Sequence, residues 1–344
     1  MPLAGHGLIG PQLARLIDRY GQTGVLPFYL FAHGVAIAAV LASTTPAAAI
    51  VAATCAGAAF PQLGALSAAR WAHLLRGERA DELASAFSLE SLANATAFLL
   101  GPVLVTTLGA TGNTTLASII AATLILGGGT ALAAQRRTAP HPARKSAERS
   151  DQSLLQPTFL LLALLNLAIG LYFGTIGLSI SAFAISHEIP GAAALIIAAS
   201  SLSGLLAGWL YGLRQHPTPA HRQLVIATAY LTGTALLLPL APSAIWLAAA
   251  VVVTEAAVPP ILVLLNVLTE KAVHPATLTQ AFTWNNSASA AGSALAAYLA
   301  GHAADTWGAS AAFAQAPATG LLLLVLSLSL YQTGIVEKRL GMDS

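Results

Sequence analysis

The most unusual acidic side chain in this sequence lies inside a long apolar run. Glu255 follows Val253 and Thr254 and stands about twelve residues into that run, which at ~1.5 Å per helical residue is near the middle of a membrane. An ionisable group at that depth costs at least ~2.5 kcal/mol, so we expect it to face other helices. It either binds a proton or a cation, or is a protonated glutamate hydrogen-bonded to a neighbouring helix, where Pro259-Pro260 would free acceptor carbonyls.

A second acid, Glu90, lies about one turn inside the start of another apolar run, four residues before Asn94. Residues four apart share a helix face, so both could line a cavity. The alternative is a carboxylate that reaches back to the membrane surface and contacts nothing specific.

A cluster of polar and aromatic residues interrupts a third apolar run at 283–287, Thr-Trp-Asn-Asn-Ser. Consecutive residues splay around a helix, so at most two or three of the five face one cavity. Trp284 offers a flat apolar wall, and Asn285 or Asn286 offers hydrogen bonds to an uncharged or weakly charged small molecule. Polar contacts between helices would explain the same residues. Asparagines in two other apolar runs are candidates of the same kind: Asn166 and Asn266.

Metal, nucleotide and enzymatic sites have no supporting motif. The sequence contains no His-Glu-x-x-His, no phosphate loop and no aspartate-rich prenyl-diphosphate motif. His302 and Asp305 are three residues apart, but two ligands do not make a metal site. A net charge of +2 gives no reason to expect a nucleic-acid partner. We therefore expect no metal, no cofactor, no nucleotide and no enzymatic activity.

The segments that carry these residues are long enough to span a membrane. The chain is 56% hydrophobic and 8% charged, whereas a soluble domain is roughly a quarter charged. Period-two alternation is absent, so the segments are predicted to be helices. Ten of them have roughly the 20 residues that a bilayer requires: 24–43, 46–68, 85–108, 114–134, 157–186, 191–213, 223–241, 243–268, 277–302 and 309–335. A shorter apolar piece at 2–17 makes an eleventh.

The positive charges fall in alternate connections between these segments. The intervening connections, at 43–46, 109–114, 186–190, 241–243 and 303–309, contain none. By the positive-inside rule the basic connections are cytoplasmic, and so is the C-terminus. The 15 basic residues are Arg15, Arg19, Arg70, Arg76, Arg79, Arg136, Arg137, Arg144, Lys145, Arg149, Arg214, Arg222, Lys271, Lys338 and Arg339.

Three glycines of one segment, Gly204, Gly208 and Gly212, are spaced four residues apart. Such spacing places the three on one helix face and favours close packing against a neighbour. The same face could also be a sliding surface.

The segment 14–22, Ala-Arg-Leu-Ile-Asp-Arg-Tyr-Gly-Gln, resembles the motif Gly-x-Leu-Ala-Asp-Arg-x-Gly-Arg-Arg that joins the second and third helices of the major facilitator superfamily. Asp18, Arg19 and Gly21 match the motif. Ala14 replaces its first glycine, and 22–23, Gln-Thr, replace its terminal basic pair.

Two further sites resemble the family more weakly. The segment 208–214 is a degenerate echo of the same motif, without the acid, at the corresponding place in the second half of the chain. Gly101-Pro102 is similar to part of the antiporter motif Gly-x-x-x-Gly-Pro-x-x-Gly-Gly, from which Ala97 and the 104–105 pair, Leu-Val, depart. We expect Gly101 and Pro102 to be packing residues.

The resemblance implies an all-α polytopic membrane protein with the two-bundle fold of the major facilitator superfamily. It implies about 11 transmembrane helices, six plus six without the first. The predicted domains are an N-terminal bundle at 1–134 (family helices 2–6), a basic cytoplasmic linker at 135–156, a C-terminal six-helix bundle at 157–336 and a cytoplasmic tail at 337–344.

The resemblance also implies a role for Asp18. Its carboxylate would sit against the positive N-terminal end of the 277–302 helix and latch the cytoplasmic side, with Arg19 in a neighbouring charge network. The alternative is an ordinary Asp-Arg pair on a solvated turn.

In function, the resemblance implies secondary transport of a small organic molecule by alternating access. Protons are the expected coupling ion, since Glu255 is the acid deepest in a span, and the family context favours export. The alanine-rich composition is typical of a bacterial gene and hence of a plasma membrane. The alternative is a transport-incompetent or purely interacting membrane protein, because the first family helix has no counterpart. A start codon assigned too far downstream would also explain that difference.

Overall fold

Helices account for all the regular secondary structure in the part of the chain that the structure describes. The structure is a computed structural model, and it describes residues 12, 14–77, 79–110, 114–140, 151–214 and 217–339. Residues 14–20 are helical. Thirteen α-helices follow, with both ends described: α1 Gln22–Ala42, α2 Pro46–Ala58, α3 Leu63–Leu74, α4 Leu83–Ala110, α5 Thr114–Ala134, α6 Pro157–Ser186, α7 Pro190–Gly212, α8 Ala220–Ala235, α9 Ala244–Glu255, α10 Val258–Ala272, α11 Leu278–Trp307, α12 Ala309–Phe313 and α13 Gln315–Arg339.

The predicted polytopic helical membrane fold is confirmed. Eight helical stretches in the described part of the chain are long and apolar enough to cross a membrane. Two more predicted spans are also helical, as α8 and α11. The predicted apolar piece at 2–17 lies largely outside the described residues.

Three predicted spans are interrupted where the chain loses backbone hydrogen bonds. The span predicted at 46–68 splits between α2 and α3, because Pro61 has no N–H to continue the helix. The span at 243–268 splits after Glu255, just before Pro259-Pro260. The last predicted span begins with the short α12 and continues as α13.

Two compact units make up the chain, and each contains segments from both predicted bundles. Unit 1 comprises Met1–Ala80, Leu100–Leu155 and Val273–Ser287; unit 2 comprises Asp81–Leu99, Gln156–Ala272 and Ala288–Ser344. The core of unit 1 includes a cluster of Ile17, Leu26, Leu30 and Leu66. The core of unit 2 is larger and centres on α6, whose Tyr172 is fully buried.

Glycines allow α6 and α11 to approach backbone to backbone within unit 2. A Cβ on Gly170 or Gly174 would overlap the backbone carbonyls of Ser289 and Ser293, respectively. On α11, a Cβ on Gly292 would overlap the carbonyl of Leu167. The crossing of these two helices therefore depends on residues without side chains.

The outer surface of the helices carries large apolar side chains. Phe28 is 75% exposed, Phe31 is 74% exposed and Ile245 is 84% exposed. Water would penalise such a surface, whereas lipid tails would not. Together with a mean hydropathy of +0.74, this surface is that of a protein whose solvent is a bilayer.

Candidate functional site

Asp18 contacts the N-terminal end of α11 in unit 1. Its carboxylate oxygen Oδ2 accepts a hydrogen bond of 2.9 Å from the backbone N–H of Gln280. Gln280 is the third residue of α11, so this N–H has no partner within the helix, and the positive end of the helix dipole favours an anionic group beside it. The two residues are 262 positions apart in the sequence.

Gly21 determines how the chain leaves Asp18. Its φ of 90° lies in the left-handed region, which glycine adopts without steric penalty. The Gly21 N–H closes the preceding helical turn on the carbonyl of Ile17 at 2.8 Å, and α1 begins at the next residue. The glycine thus separates the helical segment with Asp18 from α1.

Burial raises the pKa of the Asp18 carboxyl from 3.8 to about 7. Hydrogen bonds from the Thr279 hydroxyl and from the backbone N–H groups of Gln280 and Thr279 oppose this rise. Desolvation outweighs these hydrogen bonds, so the pKa of the carboxyl lies near neutral pH, where small changes in pH alter its charge.

A small cavity in unit 1 lies behind this contact. It has a volume of about 20 Å³, enough for about one water molecule. The buried hydroxyl of Tyr29 has no hydrogen-bond partner among the described residues. The cavity is lined by Ala14, Ile17, Leu26, Tyr29, Phe60, Pro61, Gln62, Leu66, Thr279 and Thr283.

The remaining motif positions have different surroundings. Arg19 is exposed, and its guanidinium carbon lies 5.6 Å from the centre of the Tyr20 ring. Gln22 is 1% exposed and accepts a 2.7 Å hydrogen bond from Nε of Arg70. Arg70 belongs to α3, and it is 4% exposed rather than part of an open basic connection.

Glu255 is the last residue of α9, at the break before α10. The Tyr172 hydroxyl donates to its Oε1 at 3.1 Å. The carboxyl is therefore an acceptor towards α6, in unit 2. Sequence reasoning identified the acid and the prolines that follow it, but it predicted a continuous span at 243–268 and did not identify the tyrosine, which carries no local signal.

Side chains from neighbouring helices satisfy the carbonyls at this break. The N–H groups of Ala256 and Ala257 both bond to the carbonyl of Thr254. The carbonyls of Val252 and Val253, to which these N–H groups would bond in a continuous helix, are left without helical donors. The Ser203 hydroxyl donates to the Val252 carbonyl at 2.7 Å, and the Tyr230 hydroxyl donates to the Val253 carbonyl at 3.1 Å. The break is thus a stabilised feature of unit 2.

Glu90 and Asn94 have unlike environments on α4. Oε2 of Glu90 is buried and has no hydrogen-bond partner among the described residues. Asn94 is exposed. An unsatisfied buried carboxyl oxygen is costly and so is a candidate for binding a proton, a water or a ligand.

The polar cluster of α11 divides between interior and exterior. Asn285 is 2% exposed and Ser287 is 5% exposed, whereas Trp284 is half-buried and Asn286 is exposed. Asn285 therefore remains the better candidate of the two asparagines for an interior contact.

The two other candidate asparagines lie in unit 2. Asn166 is 6% exposed, and its amide donates to the Leu162 carbonyl of its own helix at 2.8 Å. Asn266 is partly buried in α10. The side-chain oxygen of Asn166 and the second N–H of its NH₂ group remain for other contacts.

The glycine face of α7 packs on two other elements of unit 2. A Cβ on Gly204 would lie 3.7 Å from Pro259, and one on Gly208 would lie 3.2 Å from it. A Cβ on Gly212 would lie 2.7 Å from that of Ser88. The Gly212 carbonyl also accepts a 3.2 Å hydrogen bond from the Ser85 hydroxyl of α4.

Gly101 and Pro102 follow each other within α4. A Cβ on Gly101 would meet nothing within 4 Å, and the side chain of Pro102 lies outside the described part of the chain. Within that part, no group of three His, Cys, Asp or Glu side chains is close enough to hold a metal ion.

Comparison with known proteins identifies the fold. No family model matches the sequence, and no curated protein matches it. Solved structures do match. The human organic anion transporter MFSD10 shares 18% identity over 95% of this chain and 82% of its own, with a TM-score of 0.70.

Two bacterial transporters are comparably similar. A bacterial homologue of the iron transporter ferroportin, in an outward-facing state, has a TM-score of 0.73 at 12% identity over 96% of this chain and 88% of its own. The fucose:proton symporter FucP of E. coli has a TM-score of 0.69 at 12% identity over 95% of this chain and 88% of its own. The chain therefore has the fold of the major facilitator superfamily, as the motif at 14–22 predicted.

Proposed function

We propose that this chain is a secondary transporter that moves a small organic molecule by alternating access. The binding site would open to one side of the membrane and then to the other. Export of the molecule would be coupled to proton entry. The contact between Asp18 and the Gln280 N–H carries this proposal. It joins the two halves of the sequence through hydrogen bonds at a helix end, which can form and break without unfolding either helix.

Asp18 and Gly21 are the proposed gating residues. With the contact formed, the helical segment 14–20 lies against the start of α11, beside the cavity of about 20 Å³. Arg19, exposed beside Tyr20, would contribute positive potential at the surface rather than a buried ion pair.

Glu255 is the proposed coupling residue. It combines a carboxyl group, a helix break and a tyrosine donor at 3.1 Å, and broken helices are where transporters of this kind place their ion sites. Glu90, with its unsatisfied Oε2, is the second candidate.

The proposed substrate contacts are neutral. Asn285, Asn166, Asn266, Asn94 and Asn286 offer amide groups, and Trp284 offers an apolar face. These groups suit an uncharged or weakly charged organic molecule, such as a sugar of the kind named for FucP. The organic anions named for MFSD10 are the second class to test.

The alanine-rich composition supports a location in a bacterial plasma membrane, and the distribution of basic residues supports a cytoplasmic C-terminus. The bilayer lipids are then the permanent partners of the exposed apolar side chains.

Proton flux tests this function. The purified protein is reconstituted in liposomes that contain a pH-sensitive dye, and deoxy sugars and organic anions are added one at a time. We expect at least one compound to drive proton movement. The Glu255→Gln variant should lose that movement, because the amide cannot release a proton, and should retain exchange of labelled substrate between the two sides. Proton movement at the wild-type rate in Glu255→Gln would remove the coupling role of Glu255. If no compound drives proton movement in the wild type, the result would favour the alternative of a transport-incompetent or purely interacting membrane protein.

A further inference from the structure

We propose that Arg70 is the positioning residue of the Asp18 latch, a role that rests on the gating function proposed above. It supplies, from α3, the guanidinium that the motif lacks where Gln22 replaces a basic residue. In the sequence, the motif segment 14–22 lacks a basic residue at its end. In the structure, Arg70 of α3 places a guanidinium beside that end.

Four hydrogen bonds hold the Arg70 guanidinium in unit 1. Nε donates to Oε1 of Gln22 at 2.7 Å, Nη1 donates to the Gln135 carbonyl and the Thr138 hydroxyl at 3.0 Å each, and Nη2 donates to the Leu132 carbonyl at 2.8 Å. All four acceptors are neutral, so the bonds themselves, rather than an ion pair, keep this cation buried.

Two of the acceptors lie where a helix favours a cation. Leu132 is in the last turn of α5, and Gln135 follows its final residue. Their carbonyls belong to the negative end of α5, and the Leu132 carbonyl also accepts a 3.2 Å hydrogen bond from the Gln135 N–H. Arg70 therefore closes the C-terminal end of α5 and joins it to α3.

The hydrogen bond from Arg70 to Gln22 connects this anchoring to the latch. Gln22 is the first residue of α1 and follows Gly21 directly. Its Nε2 donates to the Leu66 carbonyl at 3.4 Å while its Oε1 accepts from Arg70. Both polar atoms of the Gln22 side-chain amide are therefore hydrogen-bonded, and they fix the start of α1 to α3. Asp18 lies one helical turn before it, so the same anchoring sets where the carboxylate meets Gln280.

An accessibility reporter tests this role without requiring a substrate. Cys55 is the single cysteine of the chain, so Cys55→Ser gives a clean background. Thr283→Cys then places a thiol at a position that is 1% exposed and lines the cavity behind the latch. Its reaction with a membrane-impermeant maleimide is followed in inside-out and right-side-out vesicles.

We expect Arg70→Gln to raise the labelling rate at position 283 from one side by about tenfold or more, because hydrogen bonds to a buried charge are lost. Arg70→Lys should be intermediate, since one ammonium cannot reach all four acceptors. The double variant Gln22→Arg with Arg70→Gln returns the guanidinium to the loop and should restore slow labelling. Arg76→Gln removes an exposed charge nearby and is the matched control.

Three comparisons decide the outcome. Asp18→Ala removes the acceptor of the Gln280 N–H and opens the latch directly; if it raises labelling and Arg70→Gln does not exceed Arg76→Gln, the positioning role is wrong and the latch stands. If neither variant raises labelling, the latch itself is wrong. A thiol at Ser179, which is fully buried in unit 2, must stay unlabelled; general labelling of both sites would show unfolding and overturn a specific role. Should Arg70→Gln fail to fold, a folded and closed double variant supports the proposal, and a misfolded one contradicts it.

Discussion

Asp18 combines a hydrogen bond that favours its charged form with a desolvated position that favours its neutral form. Since burial dominates, the closed contact has a carboxyl pKa of about 7, whereas a released carboxyl in water returns towards 3.8. The closed state then binds more protons than the open state between these two values. By linkage, closure is favoured in full below the lower value and weakens as the pH rises through the upper one.

Closure of the Asp18 contact should therefore weaken as the pH rises, which gives the first prediction. The labelling rate of Thr283→Cys, normalised to that of Arg76→Cys at an exposed position, should rise between pH 5 and pH 7 and level off above that range. The Asp18→Asn variant has no carboxyl and should give a flat profile. A wild-type profile as flat as that of the variant would show that this carboxyl does not set the closure.

Tyr172 leads to the second prediction. In Tyr172→Phe the Glu255 carboxyl loses its donor from α6, and the loss of a hydrogen bond to an acid is worth about tenfold or more. Substrate-driven proton flux should fall by that factor, and exchange of labelled substrate should change less. Tyr230→Phe removes a hydroxyl that contacts a carbonyl of the same break and not the acid. Equal effects of the two variants would contradict a specific link between Tyr172 and Glu255.

Sequence reasoning could identify the acids, and the family resemblance implied the helix end that faces Asp18. Asp18 belongs to a motif and Glu255 is conspicuous in an apolar run, so both are visible locally. Tyr172 and Arg70 carry no such signal, and only the folded chain brings Tyr172 to Glu255 and Arg70 to Gln22. Arg70 was further obscured because α3 extends to Leu74, beyond the apolar stretch predicted to end at 68.

At the scale of helices, apolar length predicts spans well and proline predicts their breaks. The predicted 157–186 matches α6, Pro157–Ser186, because proline suits the first turn of a helix. The segment predicted at 223–241 ends early, at Ala235 in α8, since Pro239 follows four residues later and cannot continue the helix. The apolar pattern extends across that stop because lipid accepts apolar residues in any conformation that satisfies the backbone.

The crossing of α6 and α11 gives the third prediction. Gly170→Ala and Gly174→Ala each push a methyl group into a backbone carbonyl of α11, which cannot move aside as a flexible side chain would. Overpacking of this kind costs about 1–3 kcal/mol or more. We expect a lower melting temperature and a smaller monodisperse peak in size-exclusion chromatography.

Gly177 is the matched control for that crossing. It lies on the same helix, and a Cβ there meets nothing within 4 Å. Gly177→Ala should therefore be neutral or stabilising, because alanine favours helix by up to about 1 kcal/mol. Equal losses at positions 170 and 177 would mean that the helix backbone, rather than the crossing, sets the effect.

For the whole molecule, composition determines the solvent and thereby the fold class. A chain that is 8% charged must satisfy its backbone within helices if it lies in lipid. Its division into two compact units, each with segments of both sequence halves, has no counterpart in the hydropathy pattern. The contact of Asp18 with Gln280 lies within unit 1 and depends on a few polar atoms, which hydropathy does not register.

The orientation of the bundle gives the last prediction, because it decides which compartment controls the Asp18 latch. Basic residues occupy alternate connections, so the connection with Arg76 should be cytoplasmic and the connection with Glu188 external. Both residues are exposed, and each can be replaced by cysteine in the Cys55→Ser background. In intact cells an impermeant maleimide should label Glu188→Cys and not Arg76→Cys, and inside-out vesicles should reverse the pattern. The reverse result in cells would place Asp18 outside, where the closure would follow external rather than cytoplasmic pH.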